Sequence, residues 1–168
     1  SSLGGFMRIL AIETTERIGS IALADRGSLL AEVQLRDDLR SAQSLAPAIQ
    51  QTLGQVGWTP KDVQLVAVTV GPGSFTGLRI GIATAKAFAY AVGAEVLGVD
   101  AHETLAQACP DDVSLLATVI DAQRGEVVAR NFRRDDSGAL AARSDSELLD
   151  ADRWLASLAP DTRVTGPI

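Results

Sequence analysis

The chain has 168 residues, 46% of them hydrophobic, and a formal net charge of −6 at pH 7. This size and composition exclude a long disordered protein and allow either one core or two small lobes. The single cysteine, Cys109, and the single histidine, His102, leave almost nothing for a disulfide or a Cys/His zinc site, and the acidic balance argues against a protein that binds nucleic acid by itself.

Neither the composition nor the ends of the sequence indicate a membrane segment. No stretch approaches the roughly 18 to 20 apolar residues that span a bilayer, and residues 1–6 lack the basic start and apolar core of a signal peptide. We interpret residues 1–6 as a tag remnant or loose leader before Met7. The expectation is a soluble, cytoplasmic protein.

The first part of the chain predicts strands and helices in the order βββαβαβα, from alternating apolar runs and from apolar residues at helical spacing. The predicted strands are Arg8–Glu13, Ile18–Ala24, Leu29–Leu35, Leu65–Val70 and Glu95–Val99, and the predicted helices are Ser44–Val56, Phe75–Val92 and His102–Cys109. Pro47 fits the first helix if Ser44 is its cap. We expect a first lobe over residues 7–110.

The downstream sequence predicts the same opening layout a second time. The predicted strands are Leu115–Asp121, Val127–Phe132 and Ala139–Ser144, followed by a helix over Asp152–Ala159 and a strand that begins at Arg163–Thr165. In each copy the first strand ends in an acid, Glu13 or Asp121, which indicates two related lobes. The second lobe would cover residues 111–168 and is too small to be stable alone.

A glycine-rich turn connects the fourth strand to the second helix. Gly71, Pro72 and Gly73 suit a tight turn, and Ser74 can accept a hydrogen bond from the first amides of the helix. The turn lacks the Lys-Ser/Thr of a Walker loop and the glycine spacing of a dinucleotide fingerprint. We therefore interpret these residues as a structural turn and helix cap, although a helix start of this kind can hold an anion.

The second helix carries a strip of small residues and is apolar on nearly every side. Such a helix must be covered on several faces, and the strip would let another helix backbone approach closely. Because so short a chain has few elements to cover it, we predict a partner surface on the first two helices, with complete internal burial as the alternative. The predicted interface residues are Leu45, Ile49, Leu53, Phe75, Gly77, Leu78, Gly81, Ile82, Ala85 and Ala89.

The sequence gives weaker support to the other candidate ligand-binding, metal-binding and catalytic residues. Glu13, Thr14, Thr15 and Asp121 lie at predicted strand ends, where open α/β sheets commonly bind ligands, although such residues are also ordinary turn residues. His102 is alone and cannot form a two-histidine metal pattern. No Gly-x-Ser-x-Gly elbow surrounds Ser74, which disfavours nucleophilic catalysis, so no catalytic or metal-binding residue is predicted.

Three segments together resemble the bacterial TsaB family. They are Met7–Thr14 (MRILAIET), Gly71–Gly81 (GPGSFTGLRIG) and Ile120–Val127 (IDAQRGEV), and they occur in the family's order. The resemblance implies a duplicated actin-like, Hsp70-like (ribonuclease H-like) α/β fold, here with a truncated second lobe. Glu13 stands where the family more often has aspartate.

The resemblance also implies a function. The chain would be a non-catalytic scaffold and activating subunit for the tRNA N6-threonylcarbamoyladenosine (t6A37) modification, and not an enzyme by itself. It would bind the catalytic subunit TsaD, join the ATPase subunit TsaE in a larger complex, form a homodimer when alone and contact tRNA only through the complex. It would need no cofactor of its own, with ATP and magnesium at most shared weakly at a partner interface.

Two alternative functions are enzymatic, in contrast to a binding subunit. One is a free-standing actin-like ATP-binding enzyme that uses Glu13, Thr14 and Asp121 around magnesium-ATP, as a vestigial or working nucleotide site. The other is a metallopeptidase-like protein, for which the chain would need more metal ligands than His102 supplies.

Overall fold

The computed structural model describes residues 7–16, 18–35 and 42–167, which form two compact units that divide between Val99 and Asp100. The elements of the first unit are the strands β1 (Arg8–Glu13), β2 (Ser20–Asp25), β3 (Ser28–Gln34), β4 (Leu65–Gly71) and β5 (Glu95–Asp100) and the helices α1 (Ala42–Gln55) and α2 (Phe75–Val92). A single 3-10 turn, Pro60–Asp62, lies between α1 and β4.

The five strands of the first unit form one sheet in the order β3-β2-β1-β4-β5. β1 pairs with β2 in antiparallel register and with β4 in parallel register, so that Ile12 lies opposite Ile21 on one side and Val68 on the other. Alternate strand residues point to one face of the sheet, where they meet α1 and α2. The main buried residues of this core are Leu10, Ile12, Ile21, Leu23, Leu45, Ile49, Leu53, Val66, Val68, Ala85 and Ala89.

Helix α1 begins earlier than the sequence predicts. It starts at Ala42, two residues before the expected cap Ser44, so Pro47 lies inside the helix. A proline has no N–H, so this position makes no hydrogen bond to the preceding turn. The apolar residues at helical spacing still face the sheet, which is why the core of this unit follows the predicted pattern.

The second unit contains the helices α3 (Ala101–Gln107) and α4 (Ala151–Ser157) and the strands β6 (Leu115–Gln123), β7 (Glu126–Arg134), β8 (Leu140–Ala142), β9 (Glu147–Asp150) and β10 (Arg163–Thr165). Its sheet runs β10-β6-β7-β8, and β9 also pairs with β7. Sequence patterning did not predict β9, which is only four residues long and merges into α4.

The two units repeat one topology, as the sequence predicts. In each, a first strand pairs antiparallel with the second and parallel with the strand after a helix: β1 with β2 and β4, and β6 with β7 and β10. The first hairpin of each unit turns through residues of positive φ, Arg26–Gly27 and Gln123–Gly125. The duplicated actin-like fold is therefore confirmed by the strand pairings within each unit.

The division between the units falls earlier than the predicted boundary after residue 110. Helix α3 packs on β6, through the buried side chains of His102 and Thr118, and so belongs with the second unit. Within the described ranges, no helix combines the length and the apolar character needed to cross a membrane.

Candidate functional site

The glycine turn begins α2 and ties it to the end of β1. Ser74 is the N-cap: its Oγ accepts a hydrogen bond from the amide of Gly77 at 3.3 Å, and its own amide donates to the carbonyl oxygen of Thr15 at 2.9 Å. Gly71 has a φ of 113°, a conformation that favours glycine. The turn therefore fixes where α2 starts relative to the residues that follow β1.

The strip of small residues on α2 faces the first unit's own backbone. A Cβ at Gly77 would overlap the carbonyl oxygen of Thr14, and one at Gly81 would overlap the hydroxyl of Thr14. That hydroxyl donates a hydrogen bond of 2.8 Å to the carbonyl oxygen of Gly77. The sequence predicts that another helix approaches this strip; in the structure, the end of β1 and the β4 side chain Val68 lie there instead.

Burial divides the ten predicted interface residues into three groups. Phe75 is 74% exposed. Gly77, Leu78 and Ile82 are half-buried. The remaining six are buried within the first unit, because they form the helix faces that pack on the sheet: Leu45, Ile49, Leu53, Gly81, Ala85 and Ala89.

The exposed side of α1 and α2 is a different set of residues, in which small apolar side chains lie among polar and aromatic ones. Ala83 and Ala87 are exposed on α2, on the side of the helix opposite Gly81, Ala85 and Ala89, and Ala46 and Gln50 are exposed on α1. We call Ala46, Gln50, Phe75, Arg79, Ala83 and Ala87 the docking face. Of these six residues, the predicted interface set contains Phe75, and the helical spacing that places Ala85 inside also places Ala83 and Ala87 outside.

Two grooves cross the docking face. One has a volume of about 490 Å³ and lies between α1 and α2; it is lined by Ala46, Ile49, Gln50, Leu53, Pro60, Thr84, Ala87 and Phe88. The other, about 460 Å³, lies along the start of α2 and is lined by Phe75, Thr76, Arg79, Ile80, Ala83 and Thr84. The guanidinium of Arg79 lies 5.6 Å from the centre of the Phe75 ring, which holds the exposed ring against the helix.

The acids at the strand ends each accept hydrogen bonds from their own turn. The Glu13 carboxylate accepts from the amide and the hydroxyl of Thr15, the latter at 2.6 Å. Asp121 accepts from the amide of Gln123 at 2.7 Å. Burial raises the pKa of the neighbouring Glu16 carboxyl above its ordinary value, and the Glu13 carboxylate raises it further. Glu13, Thr14 and Thr15 lie in the first unit and Asp121 in the second, and their role in nucleotide binding stays a prediction.

His102 is a residue of α3, and its side chain is fully buried and makes one hydrogen-bond contact. Its Nδ1 lies 2.7 Å from the hydroxyl of Thr118, which itself lies 3.2 Å from the carbonyl oxygen of Arg130. The Thr118 hydroxyl has one hydrogen, so it donates either to His102 or to Arg130, and the tautomer of the imidazole decides which. The Nε2 atom has no hydrogen-bond partner in the described part of the chain.

The imidazole of His102 is held neutral by its surroundings. Burial lowers the pKa of His102, the Arg130 guanidinium lowers it further, and the Asp100 carboxylate opposes them. Over residues 7–16, 18–35 and 42–167, no three His, Cys, Asp or Glu side chains lie close enough together to hold a metal ion.

Comparison with known proteins points to one family. The family model described as TsaD, tRNA N6-adenosine threonylcarbamoyltransferase, matches residues 36–148. The tRNA threonylcarbamoyladenosine biosynthesis protein TsaB of Escherichia coli is 35% identical over 79% of this chain and 58% of its own length. The TsaB of Bacillus subtilis is 30% identical over 90% of this chain and 66% of its own length.

Among solved structures, YeaZ from Pseudomonas aeruginosa is similar to this chain, with a TM-score of 0.77 and 28% identity over 94% of this chain and 75% of YeaZ. The chain thus spans about three-fifths to two-thirds of the length of the curated TsaB relatives. The TsaB resemblance that the three sequence segments indicated is confirmed.

Proposed function

This chain belongs to the TsaD/TsaB family of tRNA threonylcarbamoyladenosine biosynthesis proteins, and we propose that it is a non-catalytic subunit that binds and activates the TsaD transferase. The docking face of α1 and α2 is the binding surface in this proposal. The observation that carries it is the exposed, largely apolar surface of Phe75, Ala83 and Ala87 beside two open grooves.

The apolar character of this surface supports a protein partner. An exposed phenylalanine ring is a common anchor in interfaces, and an open apolar groove accepts the side chains of an adjacent helix. Alanine at positions 83 and 87 lets a second helix approach closely, whereas the sequence predicts this role for Gly77 and Gly81. We propose TsaD as the partner, with TsaE joining the larger complex and tRNA contacted through the complex.

The candidate chemical groups support a role without catalysis. His102, the one imidazole of the chain, is buried and hydrogen-bonded to Thr118. The carboxylates of Glu13 and Asp121 each accept a hydrogen bond from a backbone amide of their own turn. We therefore propose that the chain contributes binding surface rather than reacting groups, and that any nucleotide is shared with a partner.

Co-purification with TsaD tests the proposed surface. Phe75→Ala removes an exposed ring and Ala87→Gln fills the groove between the helices, so each should weaken the complex while the fold stays intact. Leu155→Ala and Ala156→Gln are matched controls, because they make the same kinds of change at exposed positions of α4. Unchanged TsaD binding by both docking-face variants would refute the surface.

An activity assay tests the role of the subunit. TsaD, TsaE and threonylcarbamoyl-adenylate would be incubated with tRNA, with and without this chain. We expect modified tRNA to form with the chain present and to fall with Phe75→Ala in proportion to the lost binding. Modification by this chain without TsaD would show instead that it is an enzyme.

A further inference from the structure

A groove in the second unit lies beside α4, on the face of the sheet where Trp154 packs against Ala117 and Ala129. Its volume is about 490 Å³, which is within the range of small-molecule sites. The residues that line it lie between Leu115 and Thr162, so the groove belongs to one unit and shares no residue with the docking face.

The strand register places two arginines on this face of the sheet. Arg133 of β7 lies opposite Leu115 of β6 and opposite Ala141 of β8. The amide of Arg143 donates to the carbonyl oxygen of Asn131 at 2.8 Å, so Arg143 follows β8 in the same register. Arg133 and Arg143 are therefore diagonal neighbours that share a face, with backbones about 7 to 8 Å apart. Both line the groove, and one anionic group between them can contact both guanidinium groups.

Neither guanidinium group has a partner in the described part of the chain. In the same unit, Arg130 forms an ion pair with a carboxylate, and Arg134 donates to backbone carbonyl oxygens. Arg133 and Arg143, in contrast, make no side-chain hydrogen bond or ion pair with any described residue. Glu147 also lines the groove, so two cations and one carboxylate give the lining a positive charge within a chain of net charge −6.

The groove also has an apolar wall, formed by Leu115, Leu149, Trp154 and Leu158. The Trp154 side chain is 7% exposed, and its indole Nε1 has no hydrogen-bond partner among the described residues. A buried N–H without an acceptor is unfavourable and uncommon in folded proteins. A molecule in the groove that carries an acceptor oxygen can satisfy this donor.

We propose that this groove binds a small organic anion with an apolar body, a carboxylic acid or a phosphate ester. Its anionic oxygens contact Arg133 and Arg143, and its apolar body lies against Leu149, Leu158 and Trp154. Guanidinium groups bind carboxylates and phosphates through paired, charge-assisted hydrogen bonds, which a neutral molecule cannot form. The inference concerns the second unit alone and does not depend on the proposed docking function.

Nuclear magnetic resonance can follow the site directly, because the chain has two tryptophans and so two indole N–H signals. The variant Trp58→Phe removes one signal and identifies the other as that of Trp154. The probes are 2-naphthoate and 2-naphthyl phosphate, which separate the two kinds of anion. The neutral 2-naphthalenemethanol controls for the charge, and inorganic phosphate controls for the apolar body.

Two double variants test the contribution of the arginines. Arg133→Gln/Arg143→Gln removes both cations from the groove at exposed positions, so the fold should stay intact. Arg153→Gln/Arg163→Gln is the matched control, because it removes two exposed arginines of the same unit that do not line the groove.

We expect at least one of the two organic anions to shift the Trp154 indole signal with a Kd below about 1 mM. The neutral analogue and inorganic phosphate should each bind at least about tenfold more weakly, and so should the organic anion to Arg133→Gln/Arg143→Gln. The control variant should bind as wild type does. A Trp154 signal that neither anion moves at up to about 10 mM would overturn the inference. Equal binding of the neutral analogue, or unchanged binding by Arg133→Gln/Arg143→Gln, would show an apolar contact only and would also overturn it.

Discussion

The hydroxyl of Thr14 donates a hydrogen bond to the carbonyl oxygen of Gly77, and the backbone of Thr14 occupies the space that a side chain at Gly77 would need. The end of β1 and the first turn of α2 are thus in direct backbone contact. Glycine inside a helix costs about 1 kcal/mol relative to alanine. Here the close approach to Thr14 offsets that cost.

Gly77→Ala should therefore destabilise the first unit. The added methyl group overlaps a backbone oxygen that cannot move without displacing β1, so we expect a loss of about 3 kcal/mol or more in the free energy of unfolding. Urea denaturation followed by circular dichroism would measure it. Gly54→Ala is the control, because Gly54 lies in α1 with open space around it and should gain up to about 1 kcal/mol. A Gly77→Ala variant as stable as wild type would contradict this contact.

The stability of the second unit should depend on pH through His102. In the folded chain the pKa of His102 lies below its ordinary value of 6.5. The unfolded chain therefore binds a proton more readily, so the free energy of unfolding is highest above about pH 6.5. It should decrease as the pH falls from there toward the folded pKa.

Nuclear magnetic resonance would test this directly, because the chain has a single histidine and so a single imidazole signal to follow. In the folded protein we expect the neutral form to persist below pH 6.5, whereas in urea the ring should titrate near 6.5. A folded pKa at or above the value in urea would show that His102 is not held neutral.

Arg134 should be essential for the order of its neighbouring loops. Its guanidinium donates to three carbonyl oxygens, those of Val113 at 3.0 Å, Gly138 at 2.7 Å and Pro110 at 2.9 Å. Lysine cannot reproduce this planar arrangement, so Arg134→Lys should cost about 2 to 4 kcal/mol in the free energy of unfolding. The neighbouring exposed Arg133 is the control, and Arg133→Lys should stay within about 0.5 kcal/mol of wild type.

Two substitutions at Asp121 separate a structural role from a ligand role. Asp121→Asn keeps an oxygen that can accept from the Gln123 amide, so it should leave stability unchanged, whereas Asp121→Ala should cost about 1 kcal/mol. If the Asp121 carboxylate held magnesium-ATP, both substitutions would instead weaken ATP binding. Calorimetry with ATP on wild type and both variants would measure the difference. ATP binding that both variants abolish would favour the rival nucleotide-binding function.

The fold was largely predictable because its signals are local and repeated. The predicted bounds of β1, Arg8–Glu13, and of α2, Phe75–Val92, are those of the structure, since alternation and caps mark them clearly. Strand β9 was missed because Glu147–Asp150 is short and half polar, and it becomes a strand only by pairing with β7. That pairing depends on tertiary contacts that no local pattern encodes.

The elements of the candidate site could be predicted from the sequence, whereas the burial of their residues could not. An apolar helix with a strip of small residues indicates close packing, yet the sequence does not say which neighbour approaches the strip. Thr14 and Gly77 are far apart in sequence, so their contact is visible only once β1 and β4 are paired. Knowing that Ala85 faces inward then assigns Ala83 and Ala87 to the outside.

The burial of His102 has a consequence for its reactivity. Because its imidazole is fully buried and hydrogen-bonded to Thr118, reagents that modify surface histidines cannot reach the ring in the folded second unit. Modification of this single histidine would therefore report that the second unit has opened.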